Sequence, residues 1–211
     1  MIAAMGTVGL LSAALITFTY QTTLPRIKEN KARYLEKSIF EVLPGATQKK
    51  IFRFVGDDGL EPLTEGDERS RRVYAGYKDD GTPAGIAIEA QGQGFVDVIG
   101  IIYGYDPDCQ CVVGMKVLDS RETPGLGDKI EKDPKFRANF EALDVKVDES
   151  GQAINPLKLV KSGKKSNPWE VDNITGATIS SRAITKILRT STGEVVARLR
   201  KNRNVMFEEQ K

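Results

Sequence analysis

Histidine is missing from all 211 residues. That one absence excludes Ser-His-Asp and Cys-His catalysis, His-ligated zinc and His-ligated haem. Cysteine occurs only at Cys109 and Cys111, too few for an iron–sulfur cluster held by four thiolates of this chain. Any redox work done here therefore calls for an organic cofactor. One residue apart, the two thiols are not expected to bridge each other without strain. A simple strand-edge pair is the expected arrangement, with half of a metal site completed by another chain as the alternative. A strong charge of either sign is also lacking, since 31 Lys and Arg against 29 Asp and Glu leave +2. No basic stretch is interleaved with aromatics, so there is no nucleic-acid footprint.

What is present suits one globular domain behind an anchor. The chain is long enough, and at 40% hydrophobic apolar enough, for one good core. Residues 2–20 carry no charge, and the first charge after them is Arg26. About 20 such residues cross a hydrocarbon layer of roughly 30 Å as a helix, so residues 1–24 are expected to span a membrane, with Tyr20 at the interface. No small-x-small cleavage site follows Tyr20, which favours a retained anchor over a signal peptide. Arg26, Lys28, Lys31 and Arg33 all follow the segment, and by the positive-inside rule alone they would hold the rest of the chain in the cytoplasm.

Beyond the anchor, Ile27, Tyr34, Leu35, Ile39 and Val42 with charges between them predict an amphipathic helix over 25–45, stopped by Leu43-Pro44-Gly45. Residues 50–55 predict a strand, and 56–69 an acidic, glycine-containing loop. Residues 73–78 with 85–91, and 95–103 with 111–118, predict two hairpins and hence an antiparallel sheet. Gly92-x-Gly94 precedes a strand rather than a helix, so it reads as turn glycines and not as a dinucleotide fingerprint. Residues 129–142 predict a helix burying Ile130, Phe136, Phe140 and Leu143. A strand is expected over 156–160, a basic solvated loop over 161–168, and Trp169 in the core. Ile184, Ile187, Leu188, Val195 and Leu199 predict a long amphipathic helix with a weak point at Gly193. The fold class expected is α+β: an antiparallel sheet with packed helices over 46–203, behind one N-terminal transmembrane helix. A frayed, charged end follows from Asn202, with 204–211 as a tail.

The most pointed stretch is Val171-Asp172-Asn173-Ile174-Thr175-Gly176-Ala177-Thr178-Ile179-Ser180-Ser181. It breaks an apolar run, passes two nearly bare residues and delivers hydroxyls at the start of the long helix. Unpaired N–H groups and the positive end of the helix dipole suit a phosphate there, and Gly176 and Ala177 let the backbone come close. The same residues also make an ordinary Thr/Ser helix cap. Spacing alone does not separate the two. Upstream, Arg121-Glu122-Thr123-Pro124-Gly125-Leu126-Gly127-Asp128 forms either a tight loop able to lie against a flat ring or a plain strand-to-helix turn.

Asp172-x-x-Thr175-Gly176-Ala177-Thr178 resembles the D-x-x-[ST]-G-A-T signature of FMN-binding domains in which FMN is joined through its phosphate to the hydroxyl of the last Thr. The stretch Glu122-Thr123-Pro124-Gly125-Leu126-Gly127-Asp128-Lys129-Ile130-Glu131 resembles the E-T-P-G-L-G-D-K-I-E segment of the G subunits of Rnf (Rsx) electron transport complexes. The likeness runs over nearly the whole chain. It implies covalent FMN on Thr178, with Asp172, Thr175, Gly176 and Ala177 forming the acceptor motif and Glu122, Thr123, Gly125, Leu126 and Gly127 contacting the flavin.

The resemblance also implies a role. The flavoprotein relays electrons between membrane partners in a ferredoxin/NAD complex coupled to ion movement, performs no independent catalysis, and is matured by a flavin transferase that uses FAD. It implies a bacterial inner membrane and a periplasmic FMN domain, against the charge pattern; we expect the periplasm, with the sequence short of a few basic residues at its start. The alternatives are the FMN-bearing C subunit of a sodium-translocating NADH:quinone reductase, or an anchored binding module in which Thr178 is only a helix cap. Asn173-Ile174-Thr175 matches a glycosylation sequon, but it lies inside the more specific motif.

Overall fold

The computed structural model describes residues 2–56, 59–63 and 71–207. The chain divides into two units, 1–37 and 38–211. Helix α1 (Ile2–Val42) is continuous through Pro25, where the sequence suggests two segments. The missing proline N–H removes one helical bond, which a helix of this length absorbs. In the first unit Ile2, Leu10, Leu15, Ile16 and Phe18 are exposed. By length and composition this helix can cross a membrane.

The second unit is built on one antiparallel sheet. Its strands are β1 (Gln48–Val55), β2 (Gly59–Pro62), β3 (Arg72–Tyr77), β4 (Pro83–Gln93), β5 (Val98–Asp106), β6 (Cys111–Asp119) and β7 (Leu143–Asp144), in the order β2-β1-β3-β4-β5-β6-β7. Strand β2 lies inside the stretch expected as a loop over 56–69; the rest of that loop is largely outside the described residues. The second hairpin starts at Val98, because 95–97 is a turn closed by the Gly94 N–H on Asp97 O at 2.9 Å. A separate parallel pair joins β8 (Lys158–Val160) to β9 (Glu170–Asp172).

Residues 129–142 do not make one helix. They form α2 (Lys129–Lys132), α3 (Pro134–Arg137) and a 3-10 turn (Ala138–Phe140). Asp133-Pro134 causes the break: the Asp133 carboxylate takes the N–H groups of Lys135 and Phe136, capping a new helix that begins at the proline. Ile130, Phe136, Phe140 and Leu143 are buried all the same. Helix α4 (Thr178–Lys201) runs through Gly193. Residues 203–207 are not frayed, because α5 (Arg203–Phe207) buries Met206 and sets Phe207 edge-on to Tyr77, while the rest of the expected tail lies outside the described residues.

The sheet is covered on both faces. Ile99, Ile101, Tyr103 and Tyr105 of β5 join Ile184, Ile187 and Leu188 of α4 in the main core, and the Tyr103 hydroxyl meets Ser191 Oγ at 2.8 Å. On the other face β5 presents Ile102 and Gly104, and the last turn of α1 lies there, with Ile39, Val42 and Leu43 buried. A Cβ on Gly104 would strike the Val42 carbonyl, and one on Gly114 would come within 2.9 Å of it. Burial on both faces explains why β5 reads as a nearly continuous apolar run.

Cys109 and Cys111 form a disulfide, contrary to the expected unbridged pair. Gln110, with φ 52°, folds the chain so that the two Cα atoms stand 5.2 Å apart, inside the ordinary range for a bridge.

Gly104→Ala is expected to destabilise the chain by about 1–3 kcal/mol, the usual cost of overpacking. Urea unfolding of the full chain in detergent, followed by near-UV circular dichroism, measures it.

Candidate functional site

Strand β9 leads into α4 through a turn made by Gly176, φ 86°, and closed by the Ala177 N–H on Ile174 O at 3.0 Å. Ala177 is the residue before the helix and supplies no side-chain cap. Thr178 is the first helical residue. The first rung runs from the Ser181 N–H to Ala177 O at 3.0 Å, so the N–H groups of Thr178, Ile179 and Ser180 have no acceptor within the helix. The Thr178 hydroxyl accepts from Asn173 Nδ2 at 2.9 Å. A capping threonine would precede the helix and accept from its backbone. Thr178 does neither, so the plain-cap explanation does not fit. Its hydroxyl is held at an open helix end by an amide whose own Oδ1 is buried without a partner among the described residues.

Asp172 holds the surrounding loop. One carboxylate oxygen takes the N–H groups of Lys164 at 3.1 Å and Lys165 at 3.0 Å, and its own N–H goes to Asn139 Oδ1 at 2.9 Å. Next to it, Glu170 Oε2 accepts from the N–H of Ser166 at 2.9 Å, that of Asn167 at 3.1 Å and the Ser166 hydroxyl at 3.1 Å. Those bonds, led by the Ser166 N–H, hold the Glu170 carboxyl down at about 2.

Glu122 connects three segments. Its side chain is buried, with Oε1 accepting from Phe95 N at 2.8 Å and Val96 N at 3.0 Å while Oε2 accepts the Ser180 hydroxyl. The 94–97 turn, the 122–127 loop and the first turn of α4 therefore meet on one carboxylate. A Cβ on Gly94 would lie 2.6 Å from Oε1, and one on Gly127 would lie 2.8 Å from Oε2. Both glycines are needed for the clamp to close.

Around it Leu126, Phe95, Val96 and Ile179 are each at least half exposed. Thr123, Gly125, Thr175 and Gly176 are exposed as well, and Thr123 O ties its loop by accepting from Leu126 N at 3.1 Å and Gly127 N at 2.9 Å. An apolar rim thus adjoins a helix end with free donors, which fits a flat ring carrying a phosphate. Of the residues singled out from sequence, Glu122 and Gly127 are drawn together with the first turn of α4. Asp172 faces the 164–165 backbone instead of Thr178. Sequence reasoning missed Asn173, Ser180, Gly94, Phe95 and Val96; Asn173 and Ser180 lay inside the stretch already marked, but only the fold brings the Gly94 turn to it.

Glu122→Ala leaves three donors without an acceptor and is expected to cost at least about 1–3 kcal/mol, whereas Glu122→Gln keeps Oε1 and loses less; paired urea unfolding curves separate the two. Because the folded Glu170 pKa lies below the ordinary 4.5, its contribution is complete above that value and lost as pH falls toward about 2. Glu170→Gln should therefore lower stability at pH 7, flatten the acid limb of the stability–pH curve in that window and converge with wild type at its acid end.

The profile of the FMN-binding domain family matches residues 94–192. The chain is 32% identical over 184 residues to the G subunit of the ion-translocating oxidoreductase complex of Aliivibrio fischeri, covering 84% of this chain and 80% of that one. The protein of the same name from Methanosarcina acetivorans is 29% identical over 201 residues, 93% of each chain. The G subunit of the proton-translocating ferredoxin:NAD(+) oxidoreductase complex of Clostridium ljungdahlii is 30% identical over 158 residues, 72% of this chain and 77% of that one. Among solved structures, Shewanella oneidensis NqrC superposes with a TM-score of 0.68 at 18% identity, covering 83% of this chain and 99% of that one, which establishes a shared fold. The chain belongs to the family of G subunits of Rnf-type ion-translocating oxidoreductase complexes and carries that family's FMN-binding domain.

Proposed function

We propose that this chain is the FMN-bearing electron-relay subunit of a membrane complex that passes electrons between ferredoxin and NAD and couples the flow to ion movement. The FMN is joined by a phosphoester to Thr178. The observation that carries this reading is the Thr178 hydroxyl itself, held by Asn173 at an uncapped helix N-terminus beside the Glu122-bound apolar rim. The open N–H groups of α4 receive the phosphate without a cationic side chain. Leu126, Phe95, Val96 and Ile179 cover the ring, and Thr123, Gly125, Thr175 and Gly176 line the approach to it.

Bound FMN supplies the electron chemistry, and the chain positions and shields it. A tether keeps the cofactor at high effective concentration in a compartment where free FMN would be diluted away. Thr178 has no histidine to act as its base, so a separate flavin transferase makes the bond. The Cys109–Cys111 disulfide supports an oxidising compartment for the domain, and so a periplasmic location with α1 as the anchor in the inner membrane.

Coexpression with a flavin transferase should give an intact mass larger by one FMN less one water, localised by peptide mapping to Thr178. Thr178→Ala is expected to keep the wild-type fold and to show no flavin fluorescence on a denaturing gel. An unmodified Thr178 peptide under those conditions would overturn the proposal.

A further inference from the structure

A second cluster lies along the helix that begins at Thr178. Residues 150–169 hold Lys158, Lys161, Lys164 and Lys165 with no Asp or Glu, and residues 173–193 hold Arg182, Lys186 and Arg189 with none either. In a chain whose charges nearly cancel overall, this is a concentrated excess of one sign. The fold brings the two segments together. Lys158, Arg182, Lys186 and Arg189 surround a groove of about 430 Å³ whose lining includes Leu157 and Leu159.

All four cations are exposed, and among the described residues none of them has an ion pair. Glu170 stands across the ladder from Lys158, but its carboxylate is engaged by Ser166 and Asn167.

The spacing narrows the occupant. Thr178, Arg182, Lys186 and Arg189 follow one another at intervals of four, four and three residues, a single stripe on the helix. From Arg182 to Arg189 the stripe rises about 10 Å, too long for one phosphate. It matches about three residues of extended chain, whose alternate side chains stand roughly 6–7 Å apart, close to one helical turn. An apolar lining with a cationic rim also suits a peptide better than a free anion.

We propose that this groove docks an extended acidic segment of a partner protein in the same complex and so brings that partner to the Thr178 end of α4. The inference rests on the chain's being one component of a complex and is independent of the flavin bond. Attraction of this kind speeds encounter and is screened by salt.

The test uses the full chain, affinity-tagged and expressed with the other proteins of its complex, as wild type, as Lys186→Glu/Arg189→Glu and as Lys146→Glu, an exposed lysine outside the groove. Reversal in the groove is expected to lower recovery of the other components by about tenfold or more at low salt, within the range charge exerts on steered association. Wild-type recovery should fall toward the same level as salt is raised, and Lys146→Glu should stay at wild type. Lys186→Gln/Arg189→Gln, which removes charge without adding any, should fall between them and covers a reversal that upsets folding. Unchanged recovery in both groove variants overturns the proposal. So does a deficit seen in nanodiscs of phosphatidylglycerol but absent in phosphatidylcholine, which would make the groove a lipid site. Flavin fluorescence is read on the same gels: its loss from wild type would defeat the flavin reading while leaving this one standing.

Discussion

The Glu122 carboxylate is the constraint on which the site depends. A buried carboxylate is costly unless its oxygens are satisfied, and here two backbone N–H groups and one hydroxyl satisfy them. Those donors come from parts of the chain far apart in sequence. The pairing therefore fixes the turn after β4 and the first turn of α4 against the 122–127 loop, and the apolar rim follows from where those backbones are held. Gly94 and Gly127 belong to the same device, because a side chain at either would push into the carboxylate. Glu122 shapes the rim from behind, with its oxygens spent on the protein itself.

Much of this was legible in the sequence. The two hairpins, the long final helix and its buried residues follow from period-two and period-3.6 patterns that tertiary packing did not override. The turn into α4 was readable because Gly176-Ala177-Thr178 combines a positive-φ position, a small residue and a hydroxyl at a helix start. The break at Asp133-Pro134 was readable in principle: a cap followed by proline is a start signal, and hydrophobic spacing across it made one helix look continuous. The disulfide was not. Nothing in Cys-x-Cys announces that Gln110 takes a left-handed conformation, and without that turn the sulfurs stay apart. The meeting of Glu122 with Phe95, Val96 and Ser180 is a product of topology, which pattern reading along one chain does not reach.

Helix α4 does three things with three surfaces. Its buried face supplies the core against β4 and β5, its open N-terminus offers donors, and its outer face carries the basic stripe. The helix start forgoes local stability, since it is left uncapped and keeps an unpartnered amide oxygen beside it. That is the expected place for a protein to be locally unsatisfied if a ligand binds there.

The glycine-lined contact between the last turn of α1 and the reverse face of β5 bears on how freely α4 could shift within the domain. Strand β5 is gripped from both sides, by Tyr103 and Ser191 on one and by Val42 and Leu43 against Gly104 on the other. The stretch where the chain enters the domain and the helix that starts at Thr178 are thus fastened to the same strand. A displacement of α4 would therefore carry β5, and with it the start of the domain, along.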